Sequence, residues 1–373
     1  MRSGRGGSAS ARPEDLKGYE KKEKRRVNKM IISVDVGYGF TKAISEYQRS
    51  VVFPSLVAPG QDRSMEGIFG AGQSGLDCLH VRVNGQEFFV GDLARRGGMG
   101  ASFTLETWKI GHQNTRVLLA TAVALLAPAG VSSVHLATGL PYEDYRHQRH
   151  AMEEMLKTFR AEVEFLGGPL IGERRSIRFH QTTVFPQAAG AVYASLDTQT
   201  LAQVAGSGRL ISVVDMGYKT TDVVTFEAGQ AFRLRPDLSG TVDQGMNDLE
   251  RHVLAVFTER TGRRLDPARA GRLLAEGGAV VTGKFLDLGE EINRARKALA
   301  GLIMDKVRLI WRDQADFIWR VYLVGGGCTY LAEALQDLHP ATHLVEDAQM
   351  ANTRGFLAVA RQRERNLPSA RQA

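Results

Sequence analysis

Cysteine is scarce: the 373-residue chain holds only Cys78 and Cys328. Two isolated thiols exclude a disulfide scaffold, offer no zinc-ligand spacing, and fit a reducing, cytoplasmic setting. Long apolar runs are also missing. The longest nearly uncharged stretch, from Val117 to Gly130, contains Pro128. It falls short of the about 20 residues a membrane span needs and reads as a buried helix. The opening segment has no apolar core of the kind a secretory signal requires. With 43% hydrophobic and 24% charged residues, neither a wholly disordered chain nor a fibrous repeat fits.

What charge there is sits unevenly. The net charge is +7, but residues 1–30 carry ten Lys/Arg against four Asp/Glu. Residues 361–373 carry four Arg against Glu364, which leaves the body, 31–360, slightly acidic at −2. Direct DNA contact is therefore expected only through the basic tails, 1–29 and 366–373, which otherwise read as solvated ends. Met30 is an alternative start, since the first strand begins at once after it.

Along the body, Met30–Val36 reads as a buried strand, followed by the turn Gly37-Tyr38-Gly39 and a returning strand over Phe40–Tyr47. Asn84-Gly85 marks a second hairpin. Asn114–Leu126 and residues 145–164 read as helices, Ser133–Thr138 and Ser176–Val184 as strands. Pro186–Ser195 reads as a small-residue helix with Pro in its first turn. Later helices are expected over Gly245–Thr258, Leu286–Trp311, Tyr330–Leu338 and 353–363, with a strand at Arg320–Val324.

The main finding is an internal repeat. IISVDVGYGFTKAI (31–44) and LISVVDMGYKTTDVV (210–224) share an apolar strand, Asp, any residue, Gly, Tyr, and a Thr three positions on. Their aspartates lie about 180 residues apart, the scale of a duplicated α/β domain. An Asp-X-Gly hairpin lets backbone N–H groups approach phosphate oxygens, with a hydroxyl as a further donor. A carboxylate there must hold a cation or its waters, and magnesium suits that use. Taken singly such a hairpin is an ordinary tight turn. A matched pair facing across a cleft clamps a triphosphate, and Gly325-Gly326-Gly327 between a strand and a helix leaves backbone room for a nucleoside.

These motifs resemble the actin-like ATPase superfamily over about residues 30–362. DVGYGFTK (35–42) and DMGYKTTD (215–222) match its two phosphate motifs. VFPQAAGAVYA (184–194) and ANTRGFLAVA (351–360) are similar to its connecting helices, and YLVGGGCTYL (322–331) to its adenosine motif. FPSLV (53–57), FFVGDLA (88–94), ATGLPYEDY (137–145) and FPQAAGA (185–191) look most like the ParM/StbA plasmid-segregation actins and their archaeal relatives.

The resemblance implies an α/β actin-like fold, two duplicated domains around a nucleotide cleft. Domain I would take 30–190 plus a returning helix at 352–365, and domain II 191–351. It implies ATP and Mg2+ as cofactors, with Asp35 and Asp215 organising the metal through water. Gly37, Tyr38, Gly39, Phe40, Thr41 and Lys42 would form the first phosphate loop. Gly217, Tyr218, Lys219, Thr220 and Thr221 would form the second, supported by Gly245 and Asn247, with Gly325, Gly326 and Gly327 beneath the nucleoside. Gln187 would start the connecting helix and orient the attacking water, unless it merely bonds its own helix terminus. Asp222 reads as a strand-end turn residue rather than a second metal contact. The implied function is a slow ATPase that self-associates into filaments, serving plasmid or DNA segregation through a DNA-bound adaptor. The rivals are a small-molecule kinase, a chaperone-type ATPase and a DNA-binding module. The first lacks a catalytic carboxylate near the γ-phosphate, the second a substrate domain, the third a recognition motif.

Overall fold

The run from Met30 to Val36 is buried at every position, Ser33 and Asp35 included, because both its faces are covered. A computed structural model of the chain describes residues 29–60, 74–97, 102–103, 112–131, 133–195, 200, 203–230 and 232–366. The expected basic tails lie outside these residues, apart from Lys29 and Asn366. Strand β1 (Lys29–Val36) runs antiparallel to β2 (Phe40–Ser45) and parallel to β8 (Ser133–Leu140). With β3 (Ser50–Pro54), β4 (Leu56–Pro59), β5 (His80–Val83), β6 (Gln86–Val90), β7 (Ser102–Phe103), β9 (Arg160–Gly167) and β10 (Arg174–Pro186), they form a ten-stranded sheet. Its order is β3-β2-β1-β8-β10-β9-β5-β6-β4-β7. The long β10 joins its two parts. Its first half alternates exposed and buried beside β9, and its second half lies parallel to β8.

The second sheet repeats the first. Its central strand β11 (Leu210–Met216) is antiparallel to β12 (Thr221–Ala228) and parallel to β17 (Ile318–Val324). The remaining strands are β13 (Phe232–Leu234) and β14 (Gly240–Val242) beside β12, and β18 (Thr342–Leu344) beside β17. Asp35 pairs in register with Lys42, and Asp215 with Asp222. The duplication is thus structural, and the fold is the expected pair of α/β halves around a cleft.

Helices cover both sheets: α1 (Asp92–Gly97), α2 (Gln113–Leu126), α3 (Tyr142–Lys157), α4 (Ala189–Ser195), α5 (Met246–Thr261), α6 (Ala270–Glu276), α7 (Gly289–Trp311), α8 (Cys328–Leu331) and α9 (Ala351–Asn366). Ile292, Ala295, Leu299, Ile303 and Val307 of α7 recur at helical spacing and fill the second core. Trp311 satisfies its buried indole N–H on Ser212 Oγ at 3.1 Å. The last helix, α9, returns to the first sheet, where Phe356, Leu357 and Ala360 pack with Ile31, Ile44 and Ala137.

Three expected boundaries are corrected. The helix expected over 145–164 ends at Lys157, and Ala161, Val163 and Phe165 alternate inward on β9. The helix expected from Leu286 starts at Gly289. Before it lies a hairpin of β15 (Gly278–Val281) and β16 (Lys284–Asp287), turned by Thr282 and Gly283 at φ 48° and 79°. Pro186 ends β10 and does not open α4; Ala188, at φ 70°, makes the turn, and α4 begins at Ala189.

Candidate functional site

Both central strands deliver an aspartate to the same place. Asp35 and Asp215, near the ends of β1 and β11, line one cavity of about 600 Å³ between the two halves. In each hairpin the glycine N–H closes the turn on a carbonyl three residues on: Gly37 N to Phe40 O at 3.1 Å, and Gly217 N to Thr220 O at 2.9 Å. Of the residues expected at the site, Asp35, Gly37, Tyr38, Gly39, Phe40, Lys42, Gln187, Asp215, Gly217, Tyr218, Thr220, Gly325, Gly326 and Gly327 line this cavity.

Thr41, Lys219, Thr221, Gly245 and Asn247 do not. Strand periodicity explains the threonines, since successive side chains point to opposite faces. Lys42 and Asp222 therefore face the cavity, while Thr41 bonds Ser55 Oγ at 2.9 Å and Thr221 donates to Gln244 O at 2.8 Å behind it. Gly245 and Asn247 brace the second hairpin from beneath. Asn247 N donates to Tyr218 O at 2.8 Å, and a Cβ on Gly245 would lie 2.6 Å from that same oxygen. Gly325, at φ 92°, is a close approach of another kind: a Cβ there would strike Asp215 and the Met216 backbone.

A polar chain links the two aspartates through the crossing between the halves. Asp35 accepts from Lys42 Nζ at 2.8 Å and from Gln187 Nε2 at 2.5 Å. Gln187 N is held on Leu140 O at 2.7 Å. The next amide, Ala188 N, donates to Asn352 Oδ1 at 2.8 Å, and Asn352 Nδ2 donates to Asp215 Oδ2 at 2.6 Å. The sequence did not single out Asn352, and it placed Asp222 as a strand-end turn residue; both line the cavity. The signal for Asn352 was an asparagine in the first turn of a helix whose inner face, with Phe356, Leu357 and Ala360, is apolar. Asp222 stands where the first repeat has Lys42, pairs in register with Asp215, and accepts from Thr241 Oγ1 at 2.5 Å.

The electrostatics leave this site short of positive charge. Burial raises the pKa of Asp215, against the opposing pull of Lys42 and the Asn352 amide. Burial works against the Lys42 ammonium, but Asp35 and then Asp215 outweigh it, so its pKa is raised. Burial also lifts the Glu250 carboxyl, despite the hydroxyl that Tyr218 donates to it at 2.8 Å. Among the described residues no group of three His, Cys, Asp or Glu side chains is placed to hold a metal. A pair of buried carboxylates completed by water is nevertheless the donor set that magnesium accepts. Asp215, destabilised as a buried anion beside side-chain-free Gly325, fits such an ion. Among the described residues no helix is long and apolar enough to cross a membrane.

Comparison with known proteins agrees with this geometry. Residues 33–190 match the family model for actin-like proteins, N-terminal domain, and residues 213–337 match that for the archaeal actin homologue MreB-like C-terminal domain. An archaeal actin homolog of Thermoplasma volcanium is 25% identical over 351 residues, 88% of this chain and 97% of the relative. The ParM of a 15-stranded filament from Clostridium botulinum superposes with a TM-score of 0.80 at 30% identity, over 90% of this chain and 99% of that one. An archaeal actin homolog crystallised with ADP superposes at 0.73 and 21% identity, over 89% and 99%, which speaks to the fold. Two duplicated hairpins, a shared cavity and matches across nearly the whole length place this chain in the actin-like superfamily, among the ParM-type actins and their archaeal relatives.

Proposed function

We propose that the protein binds and slowly hydrolyses ATP and that the nucleotide drives its assembly into filaments, in the service of plasmid or DNA segregation. The observation that carries this reading is the pairing of Asp35 and Asp215 on duplicated hairpins that face one cavity. The ADP bound by the archaeal relative and the filament formed by the clostridial one support it. Domain I is assigned to 30–190 with the returning helix, and domain II to 191–351. A DNA-bound adaptor is the expected partner, and the basic tails are the candidate for any direct DNA contact.

The chain's own residues divide the work. Backbone amides of the two hairpins bind phosphate oxygens, and Lys42 adds a positive charge on the first. Asp35 and Asp215 would hold magnesium through its waters, and the ion supplies charge neutralisation of the phosphates. Gln187 has its Nε2 engaged on Asp35, because a carboxylate can only accept. Its Oε1 is then the atom left to accept from the attacking water and align it, as positioned glutamines do in other phosphoryl-transfer enzymes. An amide is no strong base, so hydrolysis is slow. The triphosphate bridges both halves and favours the closed form; cleavage removes the bridge.

Light scattering with sedimentation tests this. The signal should rise on adding ATP with magnesium and decay as phosphate is released. A protein that stays monomeric far above micromolar concentration in every nucleotide would remove the filament reading.

A further inference from the structure

The two phosphate hairpins differ in the residue that follows the shared Gly-Tyr. In the first it is Gly39, in the second Lys219. Gly39 is not among the residues with left-handed backbone, so no turn geometry demands a glycine there. What demands it is space. A Cβ on Gly39 would lie 2.8 Å from both Cβ and Cγ of Tyr218, in the other half of the molecule. The converse contact is made by Lys219, whose Nζ lies 5.1 Å from the centre of the Tyr38 ring, a cation over a π face. Each tyrosine therefore meets the residue that follows the tyrosine of the opposite hairpin.

We propose that Tyr38–Lys219 and Tyr218–Gly39 form a reciprocal clasp that sets the spacing between the phosphate hairpins, and that these four are positioning residues for a nucleoside triphosphate. The sequence difference between the repeats then has a cause: one hairpin provides a vacancy for a ring, the other a cation for a ring. Lys219 is absent from the cavity lining and lies over the Tyr38 ring instead. Tyr218 is anchored in its own half by Glu250, so its ring is presented as a fixed wedge. Burial, and then the nearby Asp144 and Asp222 carboxylates, raise the pKa of Tyr38, which keeps its ring neutral and suited to a cation. The polar chain through Ala188 and Asn352 ties the halves at one place, and the clasp ties them at another. Two separate ties fix an angle that a single hinge leaves free. A triphosphate held by one hairpin then finds the other already at bonding distance.

This inference rests on the nucleotide reading above, but its test separates the two. Spin labels on Gln86→Cys and Lys284→Cys, in a Cys78→Ser background, report the distance between the halves without nucleotide. Gly39→Ala should lengthen that distance, and Tyr218→Ala, which removes the wedge, should shorten it or broaden its distribution. Each should also slow single-turnover hydrolysis at saturating ATP by about 10²-fold, the cost of roughly 1 Å of misplacement, with a smaller change in affinity. Gly39→Ala combined with Tyr218→Gly, which removes the Cβ that the new methyl would meet at 2.8 Å, should be no slower than the slower single. Multiplicative losses, or an unchanged distance in the single variants, overturn the clasp. Lys219→Met and Tyr38→Leu give a second, independent cycle with the same expected outcome should Gly39→Ala fail to fold. If wild-type protein binds no nucleotide, the functional reading falls while the label distance still decides the clasp.

Discussion

Asp215 is a buried carboxylate whose ionised form the fold disfavours. Its anion is penalised by burial, and the Lys42 charge and the Asn352 amide only partly offset that. An acid whose folded pKa is raised binds more protons folded than unfolded, so stability falls as pH climbs from the unfolded value through the folded one. The penalty is absent below about pH 4, where the group is protonated in both states, and complete above the folded pKa. Asp215→Asn should therefore raise the melting midpoint of the nucleotide-free protein at pH 7. About 2–4 °C is the shift expected for each ~1 kcal/mol relieved in domains of this size. The gain should vanish below about pH 4, and thermal melts across pH check it. The same variant should lose magnesium-dependent hydrolysis, since the amide carries no charge to hold the ion's waters. A site residue that destabilises its own fold is a reason to look for function at that position.

The elements that build the site were largely legible, because each carried a local signature. The two hairpins were marked by buried strands ending in Asp-X-Gly-Tyr, and the returning helix by its small and apolar residues. What escaped were the segments where period and propensity disagree. Arg160–Gly167 follows a helix with only two residues between and holds Glu, Ala and Leu, good helix formers, yet its alternating burial against β5 and β10 makes it a strand. Pro186 looked like a helix opener, but the ladder to β8 extends through it and the turn falls on Ala188. Asn352 was hidden because its partners, Ala188 and Asp215, are far away in sequence. The small residues of the connecting helices do have a reason. At Gly355 a Cβ would strike the Gly190 backbone, so α4 and α9 cross with almost no side chain between them. Gly355→Val should force them apart and destabilise the fold by about 1–3 kcal/mol, the usual cost of overpacking. Urea midpoints measure that, and a midpoint equal to wild type would mean that the crossing relaxes freely.

At the scale of the whole molecule, the same crossing carries both Gln187, the side chain proposed to align water, and the link between the two halves. Gln187 binds Asp35 on one side of the cleft, and the adjacent Ala188 amide is tied through Asn352 to Asp215 on the other. On the proposed function, chemistry and domain angle would be set within two consecutive residues, and hydrolysis would be felt at an assembly surface far from the phosphates through them. Gln187→Ala should separate the two. Binding and closure need the hairpins and the carboxylates, which the variant keeps, so filaments should still form with ATP. Phosphate release should slow by about 10²-fold, the low end of what a positioned catalytic group contributes. Disassembly waits for the loss of the triphosphate bridge, so filament lifetime should lengthen in proportion. Gln187→Glu should also slow release, since it removes the amide donor and sets a second carboxylate against Asp35, which can only accept. Single-turnover phosphate release run beside sedimentation decides the matter. Wild-type hydrolysis with normal assembly in Gln187→Ala would confine this side chain to bracing Asp35. Slow release with filaments that vanish on schedule would break the link between turnover and disassembly.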